Sequence, residues 1–434
     1  RSRLEDRTPY LYRTRDYGAT WQLITNGIVA DSFLRGIRQD ENPESKGLLF
    51  AGTESGVYVS FDDGDHWQSL QLNLPVTSVR DLYVHGEDLV IATHGRSFWI
   101  LDDITPLRQA AKAAKADAFW LNAPAPAIRM DNDAFPGTPL PPEEPTAENP
   151  PAGAIVDYYL KSGASSVTLE IFDTQKKLVR RFSSEDKHSE KHPPLPIAER
   201  WFPKPEFLET TAEMHRFVWN LTWGSGEPAG DEASESRNLS GPKVVPGIYQ
   251  VRLTVDGRTQ EQRLKVIMDP RSPASLEVLQ QQLQLGQQIF AEAREARRTL
   301  AEINSVQKQL AEVDQKLGEK KSALKSALAD AQSELSGILI GKQVTHQPPA
   351  GGLQNGSGEL ASALRVVESG DRAVPSQAIA LFQESSQRVK EGIAEWSKFK
   401  QTKLPQLNQK LSDESVAPIA ISEIEREVQF LMSR

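Results

Sequence analysis

Val57 to Trp67 reads VYVSFDDGDHW, and the same pattern stands upstream as YRTRDYGATW from Tyr12 to Trp21. In each copy a Ser or Thr is followed at fixed offsets by Asp, Gly and Trp: Thr14, Asp16, Gly18 and Trp21, then Ser60, Asp62, Gly64 and Trp67. All four positions recur 46 residues apart, so the first quarter of the chain is a repeat. The chemistry of the pattern is that of a folded turn. An Asp before a Gly accepts hydrogen bonds from nearby backbone N–H groups, while the Gly supplies the positive φ that a tight hairpin needs. Asp16 and Asp62 are therefore expected to be structural, with each Trp covering its turn.

Short apolar runs lie around the motif. Gly47 to Ala51 and Gly56 to Ser60 read as consecutive strands, and Leu89 to Thr93 with Ser97 to Leu101 form a parallel passage. Set 40 residues apart without a gap, Thr53 falls on Thr93, Tyr58 on Phe98 and Asp62-Asp63 on Asp102-Asp103. The third copy then departs, because Ile104 stands where Gly64 was and Pro106-Leu107 follows where a fourth strand should run. Strands at this spacing suit β-propeller blades, four-stranded sheets of roughly 40 to 50 residues. An up-and-down β-sandwich is the rival arrangement.

The motif resembles the Asp-box, or BNR repeat, of the propellers of sialidases, xyloglucanases and sortilin receptors. The resemblance implies that the box holds the hairpin between the third and fourth strands of a blade, away from any catalytic centre. In known propellers the loops between second and third strands open on the ligand-binding face. Here those loops are Thr53-Glu54-Ser55-Gly56 and Thr93-His94-Gly95-Arg96, which makes Glu54, His94 and Arg96 the candidate ligand-facing residues. A turn containing Gly also carries a solvated His and Arg without any function. Two and a half blades cannot close a ring, and only about a dozen residues precede the first box. Further blades, and any export signal, are expected upstream.

Composition narrows the classes of function. The 434 residues carry a net charge of −9, with no concentrated basic run of the kind a nucleic-acid binder needs, so no nucleic-acid partner is expected. There is no cysteine, which removes disulfides, thiolate metal sites and Cys nucleophiles. Among the seven histidines only His188 and His192 are four apart, in a polar, Pro-flanked run that reads as a loop, so no metal is expected. No run approaches the roughly 18 apolar residues of a membrane span. GxSxG, HExxH and phosphate-binding Gly loops are missing, and no cofactor is expected.

Past the repeats, Ala110 to Lys115 reads as a short helix or linker, and the seven prolines between Phe135 and Gly153 give a stiff, extended connection. Six runs rich in β-branched and aromatic residues follow: 155–160, 167–172, 177–182, 216–221, 248–255 and 262–267. Val251, Leu253 and Val255 alternate with polar residues, and Val255-Asp256-Gly257-Arg258 is a hairpin turn. This fits an immunoglobulin-like sandwich, with 183–196 and 224–240 as loops. Ser272 to Glu277, with Pro273 early, reads as a helix start, and the long Pro-free run after it keeps a three-four apolar spacing and reads as a long helix or a pair broken near Gly318. Further helices are expected at 376–400 and 421–432, with a flexible connection at 347–357; the block reads as an antiparallel bundle or hairpin, a partner-binding coiled coil being the alternative.

The expected protein is multidomain and mainly β, followed by an α-helical C-terminal bundle or hairpin. Its parts are propeller blades (1–109), a Pro-rich linker (110–153), an Ig-like β-sandwich (154–270) and a helical domain (271–434). The ATHGRSFWILDD passage, AENPPAGAIVDYYL and the helical C-terminus together resemble large bacterial proteins described as sortilin-like or BNR-repeat glycosyl hydrolase-like. That resemblance implies an extracytoplasmic protein, and the expected function is a binding or scaffold module for a glycan or protein. The alternative is the accessory part of a glycoside hydrolase whose catalytic residues lie upstream. Such chemistry needs two carboxyl groups roughly 5 to 10 Å apart, whereas neighbours such as Asp62-Asp63 or Asp102-Asp103 on a strand point to opposite faces.

Overall fold

The computed structural model describes residues 6–130, 149–186, 207–224, 241–317, 322–341 and 351–421. Residues 135–148 of the Pro-rich run at 135–153, the polar run with His188 and His192, all but Gly224 of the loop expected at 224–240, and all but Ile421 of the helix expected at 421–432 lie outside them.

The repeats fold as successive antiparallel meanders. The first contributes one hairpin, β1 (Tyr12–Arg13) with β2 (Gln22–Leu23). The second is a four-stranded sheet in sequence order: β3 (Leu34–Gln39), β4 (Leu49–Thr53), β5 (Val57–Ser60) and β6 (Gln68–Ser69). The third has three strands, β7 (Val79–His85), β8 (Asp88–Thr93) and β9 (Phe98–Leu101). As expected from Pro106, its fourth strand is missing; a helix, α1 (Thr105–Ala113), stands in its place and begins earlier than the helix or linker read at 110–115. Asp103 starts that helix, its Oδ1 accepting from the Thr105 N–H at 3.0 Å and hydroxyl at 2.6 Å. Arg108 then anchors it, with both its Nε and Nη2 donating to the buried Asp40 carboxylate at 2.9 Å.

The repeated motif forms the turn joining β1 to β2 and β5 to β6. Asp62 Oδ1 accepts the His66 N–H at 2.8 Å and the Ser60 hydroxyl at 2.9 Å, while Ser60 Oγ accepts the Gly64 N–H at 2.9 Å. Asp16, Thr14, Gly18 and Thr20 reproduce this network with all three distances at 2.8 Å. Gly18 and Gly64 sit at φ +94° and +91°, a conformation in which a side chain is strained. The two tryptophans differ. Trp67 is 4% exposed and its indole N–H donates to the Ile24 carbonyl of the preceding repeat at 2.9 Å, so it joins repeats as well as covering a turn. Trp21 lies over its own Gly18 and is 61% exposed.

The next unit is a β-sandwich. One sheet has the order β10 (Phe119–Leu121), β12 (Ala154–Leu160), β15 (Met214–Trp219). The other runs β11 (Ala127–Arg129), β17 (Arg258–Met268), β16 (Gly247–Val255), β13 (Val167–Phe172), β14 (Leu178–Ser183). All pairs are antiparallel except β11 with β17. The six expected strands are present, and Val251, Leu253 and Val255 point into a core that includes Trp219, Tyr158 and Phe217. The β16–β17 turn has positive φ at both Asp256 and Gly257, as a type I′ hairpin requires. The stretch 110–153 departs from the linker expectation, since β10 and β11 lie within it and each adds an outer strand to one sheet. Their three residues are too few to show an alternation.

Four helices complete the described chain: α2 (Leu276–Leu317), α3 (Ser322–Ile340), α4 (Leu353–Val367) and α5 (Ser376–Asp413). Their shared core includes Ile289, Ala293, Ala296, Ile303, Val306 and Leu310 of α2 with Val389, Trp396 and Phe399 of α5. Glu302 is buried there, accepting from the Trp396 indole at 2.8 Å and Lys400 Nζ at 3.0 Å. Two expectations are corrected. The helix read as 376–400 continues through Pro405 to Asp413. The second half of the connection read as 347–357 is helical from Leu353; Gly356 fits because a Cβ there would lie 2.9 Å from Val389 of α5, so close packing, not a turn, explains the glycine.

Trp67→Ala should destabilise the repeats by about 3 to 5 kcal/mol, the usual cost of deleting a buried Trp. Trp21→Ala should cost less than about 1 kcal/mol, as exposed positions do. Urea unfolding of the two variants measures the contrast.

Candidate functional site

The turns after β4 and β8 lie at the same end of neighbouring meanders and are built alike. Thr53 closes the first through its N–H and hydroxyl, which donate to Gly56 O at 2.8 and 3.0 Å. Thr93 does the same to Ser97 O at 3.1 and 2.7 Å, so the second turn is one residue longer. The extra residue shifts β9, and the ungapped 40-residue alignment fails beyond it. Ala51 pairs with Tyr58 where Ile91 pairs with Trp99, so Trp99, not Phe98, takes the place of Tyr58. Each turn also binds the loop that precedes its sheet: Glu54 N–H donates to Phe33 O at 3.1 Å and His94 N–H to Ser78 O at 2.8 Å.

A further correspondence was hidden in the sequence. The register shifts between Leu34 and Gly36 on β3 and between Val79 and Asp81 on β7, which is the same place in both sheets. A bulge leaves one residue unpaired and redirects its side chain. The residues so placed are Arg35 and Arg80, and both act on Glu54. Arg35 contacts Glu54 Oε2 at 2.7 Å through Nη2 and 2.8 Å through Nε, while its guanidinium lies 4.4 Å from the centre of the Phe33 ring. The Ser78 hydroxyl donates to the same Oε2 at 2.8 Å. Partial burial raises the Glu54 pKa, but the hydrogen bonds from Arg35 and Ser78 and the charges of Arg35 and Arg80 outweigh it and hold the group below its ordinary value.

Glu54 is thus a fixed anion tying the two loops together, between side chains that face solvent. Arg80, His94 and Arg96 are exposed, and the Arg96 backbone is held from both sides, its N–H donating to Thr93 Oγ1 at 3.1 Å and its carbonyl accepting the Trp99 indole at 2.9 Å. Beneath them Ser32 is buried, bonded to Thr53 Oγ1 at 2.8 Å and also to Ser55. The structure therefore groups all three candidate residues at one end of the β3–β9 sheets and adds Arg35, Arg80, Ser32 and Ser78. Repeated bulges leave no mark in a single strand's sequence; only aligning Arg35 with Arg80 at a spacing of 45 would have found them.

Asp16 and Asp62 are consumed by their turns, with the His66 ring 2.6 Å from Asp62 Oδ2. Asp103 caps α1. Asp102 is raised by burial and by the nearby charge of Asp88, against the pull of Arg216. Arg216 joins β9 to the sandwich, donating to the carbonyls of Asp102 and Asp103 at 3.3 Å and forming a two-pronged pair with the buried Asp157 at 2.9 and 3.0 Å. Among the described residues no cluster of three or more His, Asp or Glu side chains could hold a metal ion, and no helix is long and apolar enough to cross a membrane.

No protein-family model matches the chain, and no curated protein does. Among solved structures it has weak likeness to bacterial proteins. The extracellular domain of a hybrid two-component system from B. thetaiotaomicron is 10% identical over 60% of this chain and 29% of that one, with a TM-score of 0.18. The BSP domain of a biofilm-associated protein is 8% identical over 53% and 28%, with a TM-score of 0.16. Dimeric latent PorU from Porphyromonas gingivalis is 12% identical over 61% and 21%, with a TM-score of 0.17. The chain thus spans under a third of each of these proteins. Likeness at this level assigns no role, and the function rests on this chain's own residues.

The Asp16 carboxyl is held at about 2, chiefly by the Thr20 hydroxyl, then by the Thr20 N–H and the Thr14 hydroxyl. A depressed carboxyl stabilises the fold above its unfolded pKa and stops doing so as pH falls through the folded value. The first hairpin should therefore stay intact at pH 5 and loosen between about pH 4 and 2. Carboxyl-carbon NMR titration of Asp16 measures this; a midpoint near 4 would contradict it.

Proposed function

We propose that the chain is part of an exported multidomain protein and that the loop end of its repeats is a recognition surface for a glycan or a protein. The sandwich and the helical bundle act as its scaffold. The observation that carries this reading is the convergence of the 53–56 and 93–97 turns. It sets Glu54 as a fixed acceptor beside the exposed side chains of Arg80, His94 and Arg96. Rigid loops presenting polar groups on a packed scaffold are the usual make-up of binding surfaces. The resemblance of the repeated turn to the Asp-box supports both the propeller reading and export.

Glycoside cleavage is the weaker reading. It needs two carboxyl groups across one bond, and Glu54 is the sole carboxylate of the 53–56 and 93–97 turns, already engaged by Arg35 and Ser78.

A panel of neutral and acidic glycans, with proteins from the same cell surface, tests the proposal. One class should bind saturably, and His94→Ala and Arg96→Ala should each weaken it about tenfold, or about 1.4 kcal/mol. Binding untouched by both substitutions would place the recognition surface elsewhere.

A further inference from the structure

The loop that leads from β6 into β7, residues 70–78, adjoins both turns of the candidate surface and is pinned to them. The Gln71 amide holds its first half: Nε2 donates to the Leu74 and Pro75 carbonyls at 2.7 and 3.0 Å, and Oε1 accepts the Val57 N–H at 3.4 Å, directly after the 53–56 turn. A Cβ on Gly56 would collide with that amide. The second half is tied by the Thr77 hydroxyl, which donates to the His94 carbonyl at 3.3 Å, and by the Ser78 hydroxyl on Glu54. Leu74 closes a turn with its N–H on the Gln71 carbonyl at 2.8 Å and is buried, while Leu72 and Val76 stand out, 69% and 80% exposed. The matching loop of the first repeat follows the same plan. Ile28 closes its turn onto the Thr25 carbonyl at 3.1 Å and is buried, and Val29 beside it is 60% exposed.

Single exposed aliphatic residues need no explanation. Leu72 does, because its backbone lies at φ +42°, a conformation in which a side chain is strained and which Gly adopts freely. In the matching turn the left-handed residue is Gly27, at φ +98°. An exposed leucine side chain adds no burial to offset the strain, and strained backbone of this kind clusters where proteins bind their ligands. The surrounding charge sets the partner. Glu54 is engaged by Arg35, and Asp31 pairs with Arg7 at 3.6 Å, whereas the exposed Arg80 and Arg96 form no ion pair among the described residues. This end is therefore positive in a chain of net charge −9. Across 25–33, 53–56, 71–78 and 93–97 no Phe, Tyr or Trp is exposed, Phe33 lying half-buried under Arg35. Sugar rings pack on flat aromatic faces; aliphatic side chains bordered by guanidinium groups are the make-up of a protein interface. We propose that the loop end docks a partner protein that offers aliphatic side chains flanked by carboxylates, with Leu72 and Val76 as the apolar contacts and Arg80 and Arg96 as the charged ones. This narrows the recognition reading above, on which it rests, from a glycan or protein to an acidic, aliphatic protein surface.

A random peptide library displayed on phage and selected on the 434-residue chain tests this, the enriched peptides being resynthesised and their Kd measured on variants. Enriched sequences should combine Asp or Glu with Leu, Ile or Val, and Leu72→Gly and Val76→Ser should each weaken their binding about tenfold. Leu72→Gly should also unfold at the parent's urea midpoint or above it, because it relieves the strained backbone, so that lost contact is separated from lost folding. Enriched peptides that are basic, or that bind the two variants as tightly as the parent, would overturn the proposal. So would a library that yields no binder. Saturable binding of polygalacturonate, lost with Arg96→Ala and kept with Leu72→Gly, would overturn it while leaving the recognition reading intact. If no peptide or polysaccharide is weakened by His94→Ala or Arg96→Ala, both fail.

Discussion

One hydrogen bond fixes how the repeats sit on each other: the Trp67 indole N–H donates to the carbonyl of Ile24, 43 residues earlier in the chain. The ring can reach that carbonyl only because the turn before it is rigid. Ser60 and Asp62 bond to each other and accept the Gly64 and His66 N–H groups, and Gly64 takes the left-handed conformation that closes the turn. A buried donor left without an acceptor costs about 1 to 3 kcal/mol, so the arrangement is specified by what its failure would cost as much as by its contacts. Arg13 of the first hairpin reinforces it from the other side, reaching Asp65 at 2.6 Å and Asp63 at 3.2 Å.

The loop end follows from that stacking. With adjacent meanders locked in register, the same turn of each sheet emerges at the same level, and one carboxylate on the first, Glu54, can accept from Ser78 on the strand approach to the second. The twin bulges matter for the same reason. A bulge in one sheet would merely bend an edge; bulges at equivalent positions in two stacked sheets bring Arg35 and Arg80 to bear on one anion. The sandwich is attached at the far side of the third repeat through Arg216 and Asp157. The bundle is attached to the sandwich in turn through Arg129, whose Nε donates to Val244 O at 2.8 Å and whose guanidinium pairs with Asp371.

Much of this was legible in the sequence because it is written locally. The hairpin motif encodes its own hydrogen bonds, the alternation of Val251, Leu253 and Val255 encodes a half-buried strand, and Asp256-Gly257 encodes the turn that follows. What was illegible depends on partners distant in the chain. Strands of three residues, such as Phe119–Leu121, acquire their identity only from the sheet they join. The bulges exist only relative to a neighbouring strand, and the one-residue lengthening at Ser97 is invisible until Thr93 is seen to close its turn there. The glycines around the start of α4 read as a flexible connection, yet Gly356 lies within the helix and is set by the nearness of Val389.

The central claim is that the Trp67 contact is part of the cooperative fold and not a surface ornament. Native-state hydrogen exchange of the indole N–H groups, followed by NMR, measures this most directly. The Trp67 indole should exchange only through unfolding of the repeats, with protection matching the slowest amides of β4 and β5, whereas the Trp21 indole should exchange nearly as fast as a free side chain. Rapid exchange at Trp67, comparable to Trp21, would mean that the repeats are not held together by this bond and would contradict the account.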